Sequence, residues 1–254
     1  MQRWKLTIEY DGTPFAGWQR QDFGVVTVQQ TLEEAIEKFT HQKDVRLHTA
    51  GRTDAGVHAV GQVAHVDIEK DFTPKEMRDA TNYHAGDLPV AVLHAEKVPD
   101  DFEARYDARK RSYRYRITDT QMTPPTLDAM RSWHVKRELD LDAMRAAAAH
   151  LLGHHDFSSF RASECQANHA MRTIDKIDIW TFEDPLRPGR QICIDVEALS
   201  FLHHMVRNIA GTLKYVGEGK FTPEDVKNIL EACDRTKAGI TAPAHGLYFM
   251  KVEY

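Results

Sequence analysis

The first hundred residues switch between two hydrophobic periods in a fixed order, and that order leaves few folds open. Residues 3–10 alternate strictly, with Trp4, Leu6, Ile8 and Tyr10 on one face, until Asp11-Gly12 ends the run. This is a strand with one buried face. Residues 15–24 lack periodicity and read as a loop, in which Trp18 serves equally well as a plug for the core edge or as a substrate contact. Thr27-Val28-Gln29-Gln30 has capping-box spacing, and Val28, Leu32, Ala35, Ile36 and Phe39 then recur at helical spacing to about Thr40. Alternation returns at residues 45–48 and 62–68, on either side of a glycine-flanked stretch. Pro74 opens a second helix to about Tyr83, and residues 90–98 read as a further strand. The order β-α-β-β-α-β is the split βαβ, ferredoxin-like pattern, with helices on one face of an antiparallel sheet.

The remainder repeats the theme at greater length. Residues 102–118 interleave Arg105, Arg109, Lys110, Arg111, Arg114 and Arg116 with Tyr106, Tyr113 and Tyr115. From Ser112 they alternate, setting Tyr113, Tyr115 and Ile117 opposite Arg114 and Arg116. An Ala-rich helix runs from Leu139-Asp140 to Leu152, stopped by Gly153. Strands at 173–181 and 191–199 flank a Pro/Gly-containing loop at 185–190. A helix at 201–216 carries the apolar face Leu202, Met205, Val206, Ile209 and Leu213; Arg207 lies off that stripe, and Gly211 one turn later permits close approach. Thr222-Pro223 caps a short helix, and residues 246–254 form a terminal strand. The expected fold is α+β. Two ferredoxin-like halves, residues 1–108 and 109–254, share a mostly antiparallel sheet with the active-site cleft between them.

Composition narrows the function classes. No apolar run among the 254 residues reaches membrane-spanning length, and Met1 leads into a strand rather than a signal peptide. Three cysteines, Cys165, Cys193 and Cys233, form no CxxC pair, which argues for reduced thiols in the cytoplasm. The phosphate-loop, dinucleotide and nucleophile-elbow signatures are missing, so nucleotide cleavage, hydride transfer and acyl transfer lack their usual signals. Adjacent helical residues point about 100° apart, so His203-His204 cannot face one metal, and without HExxH or a Cys/His pair no metal site is expected. A net charge of −5 gives nucleic-acid binding no support, yet the cations of residues 102–118 outweigh it locally. Arginine beside tyrosine serves phosphate neutralisation and base stacking; the commoner alternative is core tyrosines with solvated arginines.

The stretch Ala50-Gly51-Arg52-Thr53-Asp54-Ala55-Gly56-Val57-His58-Ala59 carries the chemistry. Gly51 and Gly56 permit a tight loop with Asp54 near its tip. With tyrosines on a basic strand and an arginine on a later helix, it suits a carboxylate kept ionised as a nucleophile. A module that holds RNA without reacting would need neither Asp54 nor Arg207. A hydrolase using Asp54 as a base would need a metal or a nucleophile partner that the sequence does not offer.

Along nearly its whole length the sequence resembles the tRNA pseudouridine synthase A family. Gly51-Arg52-Thr53-Asp54-Ala55-Gly56-Val57-His58 is similar to that family's catalytic loop, and Arg111-Ser112-Tyr113-Arg114-Tyr115 to its base-stacking strand. Leu202-His203-His204-Met205-Val206-Arg207-Asn208-Ile209-Ala210-Gly211 is similar to its third active-site motif. The resemblance implies isomerisation of uridine to pseudouridine in the anticodon stem-loop of tRNA, at positions 38 to 40. It implies no metal and no small-molecule cofactor, because the reaction only moves a glycosidic bond from N1 to C5.

By the same resemblance Asp54 is the essential carboxylate, acting by attack on C1′, by removal of a sugar proton or by addition to C6. Arg207 pairs with it and keeps it anionic. Tyr113 stacks on the target base and is a candidate to receive the C5 proton. Arg52 fills the space left by the flipped nucleotide. Arg105, Arg109, Lys110 and Arg114 meet phosphates. His58, counted with the substrate-binding residues, is either catalytic or a brace for the loop, and the sequence favours the brace. The family's members are homodimers with one tRNA spanning both subunits. One segment departs from the family pattern: in Asn82-Tyr83-His84-Ala85-Gly86-Asp87-Leu88-Pro89 the Leu-Pro pair has moved and the segment is longer than the usual Asn-Ala-x-Leu-Pro, which bears on the choice of target positions.

Overall fold

Alternation over residues 3–10 becomes strand β1 (Gln2–Tyr10), which buries Trp4, Leu6, Ile8 and Tyr10. In the computed structural model, which describes residues 1–21, 24–120, 122–184 and 187–254, the chain forms two compact units. One comprises Met1–Arg109 with Tyr248–Tyr254, the other Lys110–Leu247.

In the first unit β1 is followed by helix α1 (Val28–Thr40), where the Thr27 side chain accepts from the Gln30 amide. Then come β2 (His48–Thr49), β3 (His58–Ile68), α2 (Pro74–Ala85) and β4 (Val90–Val98). A reciprocal capping box between Thr73 and Glu76, with proline in the first turn, fixes the start of α2. The strand order is β4-β1-β3-β2 with every pair antiparallel, which is the ferredoxin-like arrangement. Leu32 and Ile36 of α1 and Met77 of α2 are fully buried with the apolar face of β1. Burying each such side chain contributes roughly 1.5–3 kcal/mol.

The second unit comprises β5 (Lys110–Asp119), β6 (Trp133–His134), α3 (Leu141–Ala149), β7 (Gly153–Asp156), β8 (Met171–Asp184), β9 (Arg187–Ala198), α4 (Met205–Gly217) and α5 (Pro223–Ala232). Its strands pair antiparallel in the order β5-β9-β8-β7, with β6 adding in parallel to β5. The last strand, β10 (Leu247–Glu253), pairs in parallel with β3 through Tyr248 to His58 and Phe249 to Ala59. From Tyr248 onward it therefore counts with the first unit. The fold class is α+β with mostly antiparallel strands, and among the described residues no helix is long and apolar enough to cross a membrane.

Several boundaries differ from the periodic reading. The strand expected at 45–48 is reduced to His48–Thr49, and the one expected from residue 62 already begins at His58, so His58 is a strand residue rather than part of the loop. The helix expected from residue 201 begins at Met205, because His204 takes a left-handed φ of 61° at its N-cap. The Ala-rich helix stops at Ala149 rather than Leu152, and Gly153, at φ 92°, opens β7. Of the loop expected at 185–190, residues 185 and 186 lie outside the described residues, and from Arg187 the chain is already β9. Residues 22 and 23 of the earlier loop likewise lie outside them.

Candidate active site

The loop carrying Asp54 leaves β2 and enters β3, and its backbone is held from several directions. The Trp18 amide donates to the Thr53 carbonyl at 3.0 Å, and the Gly56 amide to the Phe15 carbonyl at 3.4 Å. Gln62 on β3 donates from Nε2 to the Gly51 carbonyl at 2.7 Å. The Tyr10 hydroxyl lies 2.8 Å from Thr53 Oγ1, and Gln62 donates to the Tyr10 oxygen at 3.5 Å, which leaves the phenolic proton for Thr53. Burial pushes the Tyr10 phenol up to about 12, against the pull of these two bonds, so it stays a donor at neutral pH. Gly17, at φ +92°, makes the contact between loops possible: a Cβ there would lie 2.7 Å from the Thr53 carbonyl oxygen. The result is a half-buried Asp54 on an immobilised backbone, with Arg52 exposed two residues before it.

Trp18 is 1% exposed and packs on Tyr10 with ring centroids 6.1 Å apart, so its ring belongs to the core. His58 is also buried. Its Nδ1 accepts from the Gly12 amide at 3.0 Å and lies 3.2 Å from an Asp11 carboxylate oxygen, while its ring stacks on Tyr248 at 4.7 Å. These contacts tie the end of β1 and the first residues of β10 to the start of β3. Arg105 and Arg109 are exposed, with the Arg105 guanidinium 5.5 Å from the centre of the Tyr106 ring.

In the second unit Tyr113 lies on β5, nearly buried, with its ring edge-on to Phe201 at 5.0 Å. Its strand neighbour Tyr115 donates from its hydroxyl to the Pro243 carbonyl at 2.8 Å. Burial raises the Tyr115 phenol well above the ordinary tyrosine range, and the Arg207 charge pulls the other way. Arg207 on α4 donates from Nε to the Ala242 carbonyl at 2.8 Å, and the Ala242 amide donates to the Arg207 carbonyl at 3.1 Å. Gly211 admits this segment: a Cβ there would sit 1.8 Å from the Ile240 carbonyl oxygen. What approaches closely at Gly211 is therefore the chain's own backbone.

The basic strand is mostly engaged by protein. Arg114 makes a two-pronged bond with Asp195 at 2.7 and 2.8 Å and lies 4.8 Å over the Trp180 ring. Lys110 lies 3.4 Å from Glu197, Arg116 lies 3.2 Å from Asp128, and Arg111 bonds the Leu199 carbonyl. Periodicity gave no sign of the support from Tyr10 and Gly17, which are far from Asp54 in sequence, or from Gln62 on the strand that follows the loop. A buried tyrosine at the end of a strand was the one local hint. His203 and His204 precede α4 rather than lying on it, and their ring centroids are 3.9 Å apart, so the helical angle expected to point them apart does not apply.

A family described as tRNA pseudouridine synthase matches residues 6–107 and 147–254. The match includes the Asp54 loop and α4 but passes over β5. The tRNA pseudouridine synthase A of Paramagnetospirillum magneticum is 55% identical over 254 residues, covering 100% of this chain and 96% of that protein. That of Bradyrhizobium diazoefficiens is 54% identical over 254 residues, covering 100% of both. That of Wolbachia pipientis wMel is 48% identical over 252 residues, 99% of this chain and 100% of the other.

Proposed function

The chain belongs to the tRNA pseudouridine synthase family, and from that premise we propose that it isomerises uridine to pseudouridine in the anticodon stem-loop of tRNA, at positions 38 to 40, as a cytoplasmic homodimer. The N1–C1′ bond breaks and a C5–C1′ bond forms; C5 gives up its proton and N1 gains one. The isomerisation balances without a co-reactant. Asp54 initiates cleavage at the sugar, Tyr113 stacks on the uracil and Arg207 supplies a fixed guanidinium. Arg52 replaces the flipped base in the RNA, while Arg105, Arg109, Lys110 and Arg114 are assigned to phosphates.

The observation that carries this reading is the anchoring of the Asp54 loop. A nucleophile gains most when its backbone is already fixed before substrate arrives, and here the residues before and after Asp54 are bonded to neighbouring elements. The test uses unmodified tRNA tritiated at uracil C5, with chelator present, comparing the wild type with Asp54→Ala. Tritium reaching water from the wild type alone supports the proposal. If neither protein releases tritium and both bind tRNA with the same salt dependence, the chain holds RNA without reacting and Asp54 is a loop residue.

A further inference from the structure

We infer that the first unit carries a second nucleotide subsite beside the Asp54 loop, built to take one nucleotide of the bound RNA other than the target uridine. The inference rests on the chain acting on tRNA, and it concerns a pocket whose lining does not include Asp54, Tyr113 or Arg207. A cavity of about 290 Å³ opens beside Arg52, walled by residues 46–49 and by the turn at 103–106. That volume is at the small end of ligand pockets, enough for a single nucleotide and too little for a duplex.

The walls are fixed. Behind them Glu33, its side chain 0% exposed, lies 3.2 Å from Arg20 and 3.6 Å from Arg46 and accepts from the Leu47 amide at 3.0 Å. On the opposite side the turn is closed by the Tyr106 amide donating to the Glu103 carbonyl at 3.1 Å and by Asp107 accepting from the Glu103 amide at 2.8 Å. Ala104 between them is tied on both sides, to His65 Nδ1 at 3.1 Å and to the Tyr254 hydroxyl at 2.9 Å. The turn therefore presents Tyr106, 76% exposed, as an aromatic face on a rigid support.

The lining chemistry selects the ligand. Arg46, Arg52 and Arg105 line the cavity, three arginines together in a protein whose net charge is −5. The carboxylate among them, Glu103, lies 3.2 Å from Arg3 and 3.8 Å from His65. Planar guanidinium groups match phosphate oxygens in pairs, and an exposed tyrosine offers a base a stacking surface. Phosphate at the rim and a base on Tyr106 account for both features at once.

The test measures binding of a target stem-loop RNA to wild type, Tyr106→Ala, Tyr106→Phe and Arg46→Ala, with the RNA intact or lacking one base at successive positions flanking the target. Tyr106→Ala weakens binding about tenfold, the scale of one lost base–aromatic stack, and Tyr106→Phe restores it. One base-less RNA weakens wild-type binding to a similar extent and costs the Tyr106→Ala protein nothing more. Arg46→Ala lowers the salt slope by about one phosphate contact. Binding of Tyr106→Ala within twofold of wild type, or losses that multiply at every position, overturns the subsite. Tritium release by the wild type on the same RNA separates the two readings: release without coupling removes only the subsite, whereas coupling without release keeps it and removes the isomerase.

Discussion

Replacing Gly17 by alanine tests whether contact between the two loops sets the position of Asp54. The added methyl would meet the Thr53 carbonyl oxygen at 2.7 Å, and the Asp54 and Ala55 backbone at 3.1 and 3.2 Å. Reaching the 3.4 Å of ordinary contact moves that carbonyl by about 0.7 Å. The Trp18 amide bond to the same oxygen, now 3.0 Å, then passes beyond hydrogen-bond range. Losing that bond costs about 1 kcal/mol and holding a non-glycine residue at positive φ about 1–2 kcal/mol more. The expected melting midpoint is roughly 5–10 °C lower for a chain of this size. The catalytic consequence is larger in proportion. A misplacement near 1 Å costs on the order of 100-fold, so single-turnover tritium release at saturating tRNA should slow by about tenfold or more. Gly86→Ala is the control: φ there is +72°, but nothing lies within 4 Å, so it strains the backbone without moving the Asp54 loop. Gly17→Ala releasing tritium within twofold of Gly86→Ala, well below both midpoints, would refute the reasoning.

Two further outcomes follow from buried polar groups in the first unit. Glu33→Gln turns an acceptor of the Gln29 and Leu47 N–H groups into a partial donor and strips Arg20 and Arg46 of their shared counter-charge; it should destabilise by about 2–4 kcal/mol, and an unchanged denaturant midpoint would show that the cluster contributes nothing. Burial lowers the His65 pKa, with Glu103 opposing, and its Nδ1 accepts from the Ala104 amide. The unfolded chain therefore binds the proton first as pH falls, so this contribution is present above the unfolded value of about 6.5 and lost below it. Urea midpoints between pH 7.5 and 5.5 should fall for the wild type and flatten for His65→Asn, whose Oδ1 replaces the acceptor; parallel slopes would assign the effect elsewhere.

The legible parts of this chain are those where local spacing has one physical meaning. Alternation at residues 3–10 and 90–98 reads as half-buried strands and Pro74 as the opening of a helix, and the structure has β1, β4 and the start of α2 there. The Asp54 loop stands out because so many reactive groups lie within ten residues. Alternation shows which face of a strand is buried but not which strand lies beside it. Nothing local reveals that β10 returns to β3, placing Tyr248 against His58. Nor does apolar spacing report a backbone dihedral, which is why helical periodicity at Phe201 and Leu202 overran the left-handed turn at His204.

The basic strand shows the same limit in electrostatic terms, and it relocates where RNA contact is to be sought. Composition counts Arg111, Arg114 and Arg116 as cations in an acidic protein, but it cannot count the carboxylates and carbonyls that folding brings opposite them. Asp195, Asp128 and the Leu199 carbonyl meet all three, and a paired guanidinium must give up its partner before it can take a phosphate. An arginine that keeps a large exposed surface can meet a phosphate from solvent without leaving its place in the fold. In the first unit the exposed arginines among the described residues are Arg46, Arg52, Arg105 and Arg109, and the first three line one pocket beside the Asp54 loop. A weakly acidic chain can therefore bind a polyanion without a basic balance, because some of its acids are spent on internal arginines while three exposed arginines line one pocket. Removing Arg105 should accordingly weaken tRNA binding more than removing Arg114, whose loss is felt first in the stability of the β5–β9 pairing.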